Sequence, residues 1–293
     1  MTSTSVNPRS PLWPAQLHHL RIDTDRPDSL IAFYQSVLGM SPTRLEDGSV
    51  LLRGPSRSLV VGEGPRRGQP YMAYKLQTQR QLDALREHVV RRGMEALASP
   101  TPVFAGGAFA VRDPDGRLVV FGLPRSDLAD ALPPTDLPAC KLPGRLQHVV
   151  VASRDLAPML RFYEEDLGFV VSDYVVEDGG EPTACFFRSD PEHHSFGVFR
   201  SPETRPDHHA YETTCWNDIR DWADHMASLR IKLWWGPGRH GPGNNLFFMI
   251  EDPQGYLIEL SAELEIMPDE VTKRLWQHEE RTLNLWGSAF MRS

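Results

Sequence analysis

Residues 17–40, LHHLRIDTDRPDSLIAFYQSVLGM, recur in altered form at 146–169, LQHVVVASRDLAPMLRFYEEDLGF. His19 falls on His148 and Phe33-Tyr34 on Phe162-Tyr163 at the same spacing. An internal repeat fixes architecture before any local propensity does, because both copies must be satisfied by one backbone plan. Each copy reads as a short strand, an Asp near a helix start, an amphipathic helix ending in Leu-Gly, and another strand. Gly suits that helix end because it adopts the left-handed conformation without steric cost. Two further correspondences extend the repeat. PYMAYKLQT (70–78) matches DHHAYETTC (207–215), so that Ala73-Tyr74 falls on Ala210-Tyr211. DPDGRLVVF (113–121) matches DPQGYLIEL (252–260), an Asp-Pro-x-Gly turn followed by an apolar strand. The expected fold class is α+β, with two tandem modules, each of paired βαβββ units forming a curved sheet or half-barrel.

The chain of 293 residues has the length of two such modules. We place an N-terminal arm at 1–14, an N-terminal module at 15–125 and a proline-rich linker at 126–142. A C-terminal module follows at 143–265, then a tail at 266–293. Prolines 133, 134, 138 and 143 mark the linker. The tail stretch PDEVTKRLWQHEERTLNLWG is expected to form a helix followed by an apolar end that closes over something. The polar arm is expected to drape over a neighbour. Hydrophobic residues at 40% suffice for packed cores, and a net charge of -8 argues against a nucleic-acid partner. No apolar run is long enough to cross a membrane. The N-terminus lacks the apolar stretch of a signal peptide. Three scattered cysteines without a CxxC pair read as reduced thiols, so a cytoplasmic setting is expected.

The two copies differ in chemistry. Seven of the 11 histidines lie between positions 148 and 240, which puts the candidate chemistry in the second copy. There, His148 corresponds to His19, His209 to Met72, and Glu259 to Val120. Taken singly, Glu259 reads as an edge-strand carboxylate facing water and His148 as a hydrogen-bonded core histidine. His208 and His209 point to opposite faces of a strand, and the repeat alignment selects His209 as the inward one. Together, His148, His209 and Glu259 match the two-histidine, one-carboxylate set that holds Fe(II), or Mn(II), with coordination positions left open. A metal also accounts for a carboxylate set among Leu257, Ile258 and Leu260, where an unpaired charge would be costly.

The stretch GPGRHGPGNNLFFMIEDPQGYLIEL (236–260), together with the duplicated module and its His, His, Glu set, resembles the vicinal oxygen chelate superfamily. Within it the chain is similar to the type I extradiol ring-cleavage dioxygenases, of homoprotocatechuate 2,3-dioxygenase and catechol 2,3-dioxygenase type. The resemblance covers roughly residues 15–265. It implies a mononuclear non-haem Fe(II) enzyme that opens the ring of a catechol-type diol with O₂, in a homo-oligomer. It implies His194 as acid/base histidine, with His193 as the competing choice, and His240 as a group that hydrogen-bonds substrate or oxygen. The chain departs from the family at Met249, where a Tyr is common, and at Val150, where an Asn is common. No arginine matches those that grip a carboxylated substrate; one of these positions is Trp235. Phe186, Trp235 and Met249 are expected to form an apolar pocket for a neutral alkyl- or aryl-diol or a hydroquinone. The alternatives are a glyoxalase, isomerase or thiol-transferase of the same superfamily, or a module that sequesters an aromatic ligand.

Overall fold

The computed structural model describes residues 10–128, 138–268 and 273–291. The N-terminal half runs β1 (Gln16–Thr24), α1 (Pro27–Leu38), β2 (Ser41–Arg44), β3 (Val50–Gly54), β4 (Arg57–Glu63). It continues β5 (Gly68–Lys75), α2 (Gln79–Arg91), β6 (Leu97–Ala98), β7 (Phe109–Arg112), β8 (Leu118–Gly122). The C-terminal half begins β9 (Arg145–Ser153), α3 (Leu156–Leu160), β10 (Val170–Val176), β11 (Pro182–Arg188), β12 (Phe196–Arg200). It continues β13 (Arg205–Thr213), α4 (Trp216–Ser228), β14 (Trp235–Arg239), β15 (Leu246–Glu251), β16 (Leu257–Ala262). The tail supplies β17 (Arg274–Gln277) and α5 (Glu280–Leu283).

Each half is thus two βαβββ units joined into one sheet. The N-terminal order is β2-β3-β4-β1-β5-β8-β7-β6, and the C-terminal order is β14-β15-β16-β13-β9-β12-β11-β10-β17. Read in opposite directions the two orders are equivalent, with β17 added to one edge. The first strands of the paired units meet antiparallel at the centre, β1 on β5 and β9 on β13. This arrangement brings residues distant in sequence onto one face.

Local signals explain the repeated elements. Gly39 and Gly168 end the two corresponding helical segments at φ 61° and 84°. In the second copy α3 passes into π-helical turns over Arg161–Leu167 before reaching Gly168. The two Asp-Pro-x-Gly turns close alike. Asp113 Oδ1 accepts the Arg117 amide, and Asp252 Oδ1 accepts those of Gln254 and Tyr256. Helices cover one face of each sheet, and one buried apolar cluster runs through both halves. Trp222 of α4 is fully buried in it and donates its indole N–H to the Pro143 carbonyl at 2.7 Å.

Residues 10–15 pack against the rest of the chain, with Leu12 and Ala15 buried. Ser10 Oγ donates to the Leu167 carbonyl, and the Gln81 amide donates to the carbonyls of Pro11, Leu12 and Pro14. The rest of the expected arm, and linker residues 129–137, lie outside the described residues. The tail departs from the expected helix. Among the described residues its helical part is α5 alone, while Arg274–Gln277 pair parallel with β10. An unpaired sheet edge offers backbone donors and acceptors that a short helix cannot use. Arg274 and Trp276 then anchor the strand on the buried carboxylate of Asp173. No helix among the described residues is long and apolar enough to cross a membrane.

Candidate metal centre

Three central strands of the C-terminal sheet converge on one point. In the β13/β9 pair Ala210 lies opposite His148, and in the β13/β16 pair Ala210 lies beside Glu259. Side chains two apart share a strand face, so His208 projects to the same side as His148 and Glu259. One ligand atom from each of His148, His208 and Glu259 lies within 4.8 Å of the other two, and all three residues are buried. His148 Nε2 is 3.9 Å from Glu259 Oε1, and His208 Nε2 is 3.5 Å from Glu259 Oε2.

The expectation that His209 joins this set is corrected. It occupies the opposite, helix-covered face, stacked on Tyr34 at 6.1 Å between ring centroids and beside Tyr256 at 5.2 Å. Its Nε2 lies 3.4 Å from the Tyr34 hydroxyl. The cause is strand parity. The matched residue of the first copy, Met72, lies in the same core as Tyr74 and Leu76, so the position aligned with it faces the core as well. The inward position is one residue earlier, His208, which matches Tyr71. The period-two run Met72, Tyr74, Leu76 carried that signal in the sequence.

Neighbouring groups hold the candidate ligands in usable states. His148 Nδ1–H donates to Gln147 Oε1 at 2.5 Å, and His208 Nδ1–H donates to Asp207 Oδ2 at 2.7 Å. Each arrangement leaves Nε2 as the lone-pair nitrogen, as ligating histidines require. Gln147 is itself fixed by donating to Glu192 Oε2 and to the His194 carbonyl. Burial, reinforced by the His194, His208, His240 and His209 rings, holds the His148 pKa well below the ordinary histidine value. Glu259 Oε1 accepts from Asn245 Nδ2 at 3.1 Å, while Oε2 is buried with no hydrogen-bond partner. An orphaned carboxylate oxygen facing two bare imidazole nitrogens is the donor set of a divalent cation site.

A cavity opens over the cluster. His194 lines it, with its ring 4.4 Å from that of His148 and 5.1 Å from Phe186. Burial, with His193, His240 and His208 adding, keeps its pKa well below the ordinary value. His193 turns away, fully buried, with Nε2 3.0 Å from Asp173 Oδ2. Of the two adjacent histidines, His194 is therefore the one at the cavity. His240 stacks on Phe247 at 3.8 Å and donates Nδ1–H to the Leu283 carbonyl. Its Nε2 lies 3.7 Å from Glu259 Oε2. Phe186, Trp235 and Met249 all line the cavity, as do Phe290 and Met291 from the apolar end of the tail. Among the described residues no Lys or Arg lines the cavity. Sequence reasoning missed His208, Gln147, Asp207 and Asn245.

The first copy shows what the same positions do without ligands. His19 Nε2 contacts Thr101 Oγ1 at 2.8 Å, and the rings of Tyr71 and Phe104 pack against it. Tyr71, Phe104 and Val120 share one small apolar cluster. Aromatic filling there replaces the carboxylate and the second imidazole.

Comparison with known proteins agrees with this duplication. The family model described as Glyoxalase/Bleomycin resistance protein/Dioxygenase superfamily matches residues 16–121 and again 145–260. Metapyrocatechase 2 of Cupriavidus necator is 33% identical over 127 residues, 43% of this chain and 39% of that relative's length. Metapyrocatechase of Pseudomonas sp. (strain CF600) is 24% identical over 255 residues, covering 81% of this chain and 82% of the relative. Among solved structures, homoprotocatechuate 2,3-dioxygenase from Arthrobacter globiformis superposes with a TM-score of 0.77 at 24% identity. The superposition covers 97% of this chain and 91% of that one, a likeness of fold. With the model matched once in each sheet, the chain belongs to the glyoxalase/bleomycin resistance protein/dioxygenase superfamily.

Proposed function

We propose that the protein is an extradiol-type dioxygenase. In this reading it opens the aromatic ring of a diol with O₂ at a single divalent metal held by His148, His208 and Glu259. The observation that carries the reading is the buried cluster of two bare imidazole nitrogens and one orphaned carboxylate oxygen beneath an apolar cavity. Imidazole and carboxylate donors suit Fe(II) foremost and Mn(II) also. A bound metal of this kind supplies open positions for a diol and for O₂. The names of the metapyrocatechase and homoprotocatechuate dioxygenase relatives support the same class.

The chain's own residues then bind and orient. Phe186 and Trp235 border the ring site, and Met249, paired across the sheet with Glu259, replaces a hydroxyl donor by a thioether. Among the described residues no cationic side chain lines the cavity, so a carboxylated substrate finds no counter-charge from them. The reading therefore favours a neutral alkyl- or aryl-substituted catechol or hydroquinone. His194 handles a proton at the substrate hydroxyl, and His240 Nε2 faces the same space.

The test is anaerobic loading with Fe(II) or Mn(II), followed by oxygen-uptake measurement with a panel of neutral and carboxylated diols. Uptake is expected near one metal per chain and with neutral diols preferred. Metal-independent uptake, or none across the panel, refutes the assignment.

A further inference from the structure

We propose that the first module carries a second binding site: a cavity of about 290 Å³, lined by Arg53 and Lys75, that takes a small organic anion, a carboxylate or phosphate on an apolar body. It shares no lining residue with the cavity over the proposed metal centre and does not depend on the diol reaction.

Strand register brings the walls together beside the filled counterpart of the metal centre. Arg53 of β3 lies opposite Ser58 of β4, and both line the cavity. Lys75 shares a face of β5 with Tyr71 and Ala73, the face on which Tyr71 packs against His19. A register shift between Leu17 and His19 lets the rings of both His18 and His19 pack on Phe104, at 5.3 and 5.0 Å. His18 thereby joins the cavity wall. Leu51 and Val103, both buried, give it an apolar floor. The volume is about ten times the ~30 Å³ that one water occupies in the liquid, room for a body of roughly ten heavy atoms.

Two of the lining cations lack a carboxylate among the described residues. Arg53 donates Nη1–H to the Leu128 carbonyl, and its Nε is buried with no hydrogen-bond partner. Lys75, partly buried, makes no hydrogen bond or ion pair among the described residues. Burial first, and then the like charge of Arg145, lowers its pKa. The second copy shows what a paired sheet would do at this position. There Glu212, which matches Lys75, lies opposite Arg145 and pairs with it at 3.2 Å. In the first copy the residue opposite Lys75 is Gln16, which carries no charge. The other lining cations are already engaged. Arg125 pairs with Asp127 at 2.7 Å, and Arg57 donates to the carbonyls of Ala139 and Leu142 at 3.1 and 3.0 Å. Among the described residues no carboxylate lines the cavity. In a chain with 39 acidic and 31 basic residues, two partly buried cations at one cavity without an acidic partner point to an anion supplied from outside. The guanidinium and ammonium take its head as charge-assisted donors, and the apolar floor takes its body.

The test is titration calorimetry of the full-length, metal-loaded protein with benzoate, phenyl phosphate, benzamide and inorganic phosphate. Benzoate or phenyl phosphate is expected to bind, and the tighter of the two names the head group. Benzamide, which has the same shape as benzoate and no charge, should bind much more weakly, as should inorganic phosphate, which has no apolar body. Lys75→Met and Arg53→Met should each weaken the anion about 10–100-fold, the loss of one hydrogen bond to a charged group. Lys75→Arg keeps the charge and should stay within about 3-fold of wild type. Lys75→Met removes a cation whose charged neighbour is like-charged, so its urea midpoint should hold or rise, with metal per chain unchanged. No binding of either organic anion at millimolar concentration overturns the proposal, as does benzamide or inorganic phosphate binding equally well. Binding that Lys75→Met and Arg53→Met both leave unchanged belongs elsewhere, the metal included, and overturns it too. A urea midpoint that falls in step with the lost binding assigns Lys75 to the fold and refutes its role at a ligand.

Discussion

The assignment of His208 over its neighbour His209 yields opposite outcomes for the same substitution at adjacent positions. Methionine is the residue the first copy carries at the position matched to His209, where Met72 sits in the core. In His209→Met, two effects nearly cancel. The buried Nδ1 of His209 has no partner, and removing such an orphan relieves about 1–3 kcal/mol. The Tyr34 hydroxyl loses its contact with Nε2, long at 3.4 Å, which costs a similar ~1–3 kcal/mol. Repacking with an apolar side chain of similar size adds less than about 1.5 kcal/mol. The net change in unfolding free energy is therefore expected to lie between a gain of about 2 kcal/mol and a loss of about 3.5 kcal/mol, with metal content unchanged. In His208→Met an imidazole ligand is replaced by a weak thioether. The affinity loss should exceed the roughly 10–100-fold that follows removal of a supporting group alone. The assay is metal per chain after anaerobic dialysis at fixed free Fe(II), paired with urea unfolding of each variant. A His209→Met protein that unfolds normally but has lost its metal, beside a His208→Met protein that retains it, refutes the parity argument and the site built on it.

Gln147→Leu keeps every ligand but removes the acceptor for His148 Nδ1–H, so metal affinity should fall about 10–100-fold in a titration. An unchanged affinity would remove Gln147 from the site's support. Phe104→Ala, in the filled counterpart of the site, should destabilise the protein by about 3–5 kcal/mol in denaturant unfolding while metal content stays at the wild-type level. Metal loss there would contradict the separation of the two cavities. Glu212 is raised from 4.5 to about 7 by burial first and by Glu192 next. Its folded state holds the proton more tightly, so this stabilisation is complete below pH 4.5 and is lost as pH rises to about 7. The loss amounts to about 3 kcal/mol. Unfolding measured from pH 4.5 to 7.5 should show that loss in the wild type and not in Glu212→Gln. Parallel curves would refute it.

Much of this molecule was written locally. The repeat, the Leu-Gly helix ends, the two Asp-Pro turns and the half richer in histidine depend on neighbours a few residues apart or on matching one copy to the other. The sequence by itself therefore determined an α+β duplication; that His148 and Glu259 of its second module meet, with Phe186, Trp235, Met249, His194 and His240 lining one cavity beside them, was an expectation, the last five residues drawn from the family resemblance. Which of His208 and His209 faces the cavity depended on strand parity, and a one-residue error moves a side chain to the opposite face. Parity is fixed by the pairing of β13 with β9 and β16, which joins residues far apart in the chain. The same holds for β17. Its stretch has helical composition, yet it is drawn to the open edge of β10 and to Asp173, about a hundred positions earlier. The partner of His193 was likewise invisible, because a buried carboxylate reveals its charge state only through the donors that tertiary packing brings to it. Periodicity is a property of the chain; the choice of face and of buried partner belongs to the assembled sheet.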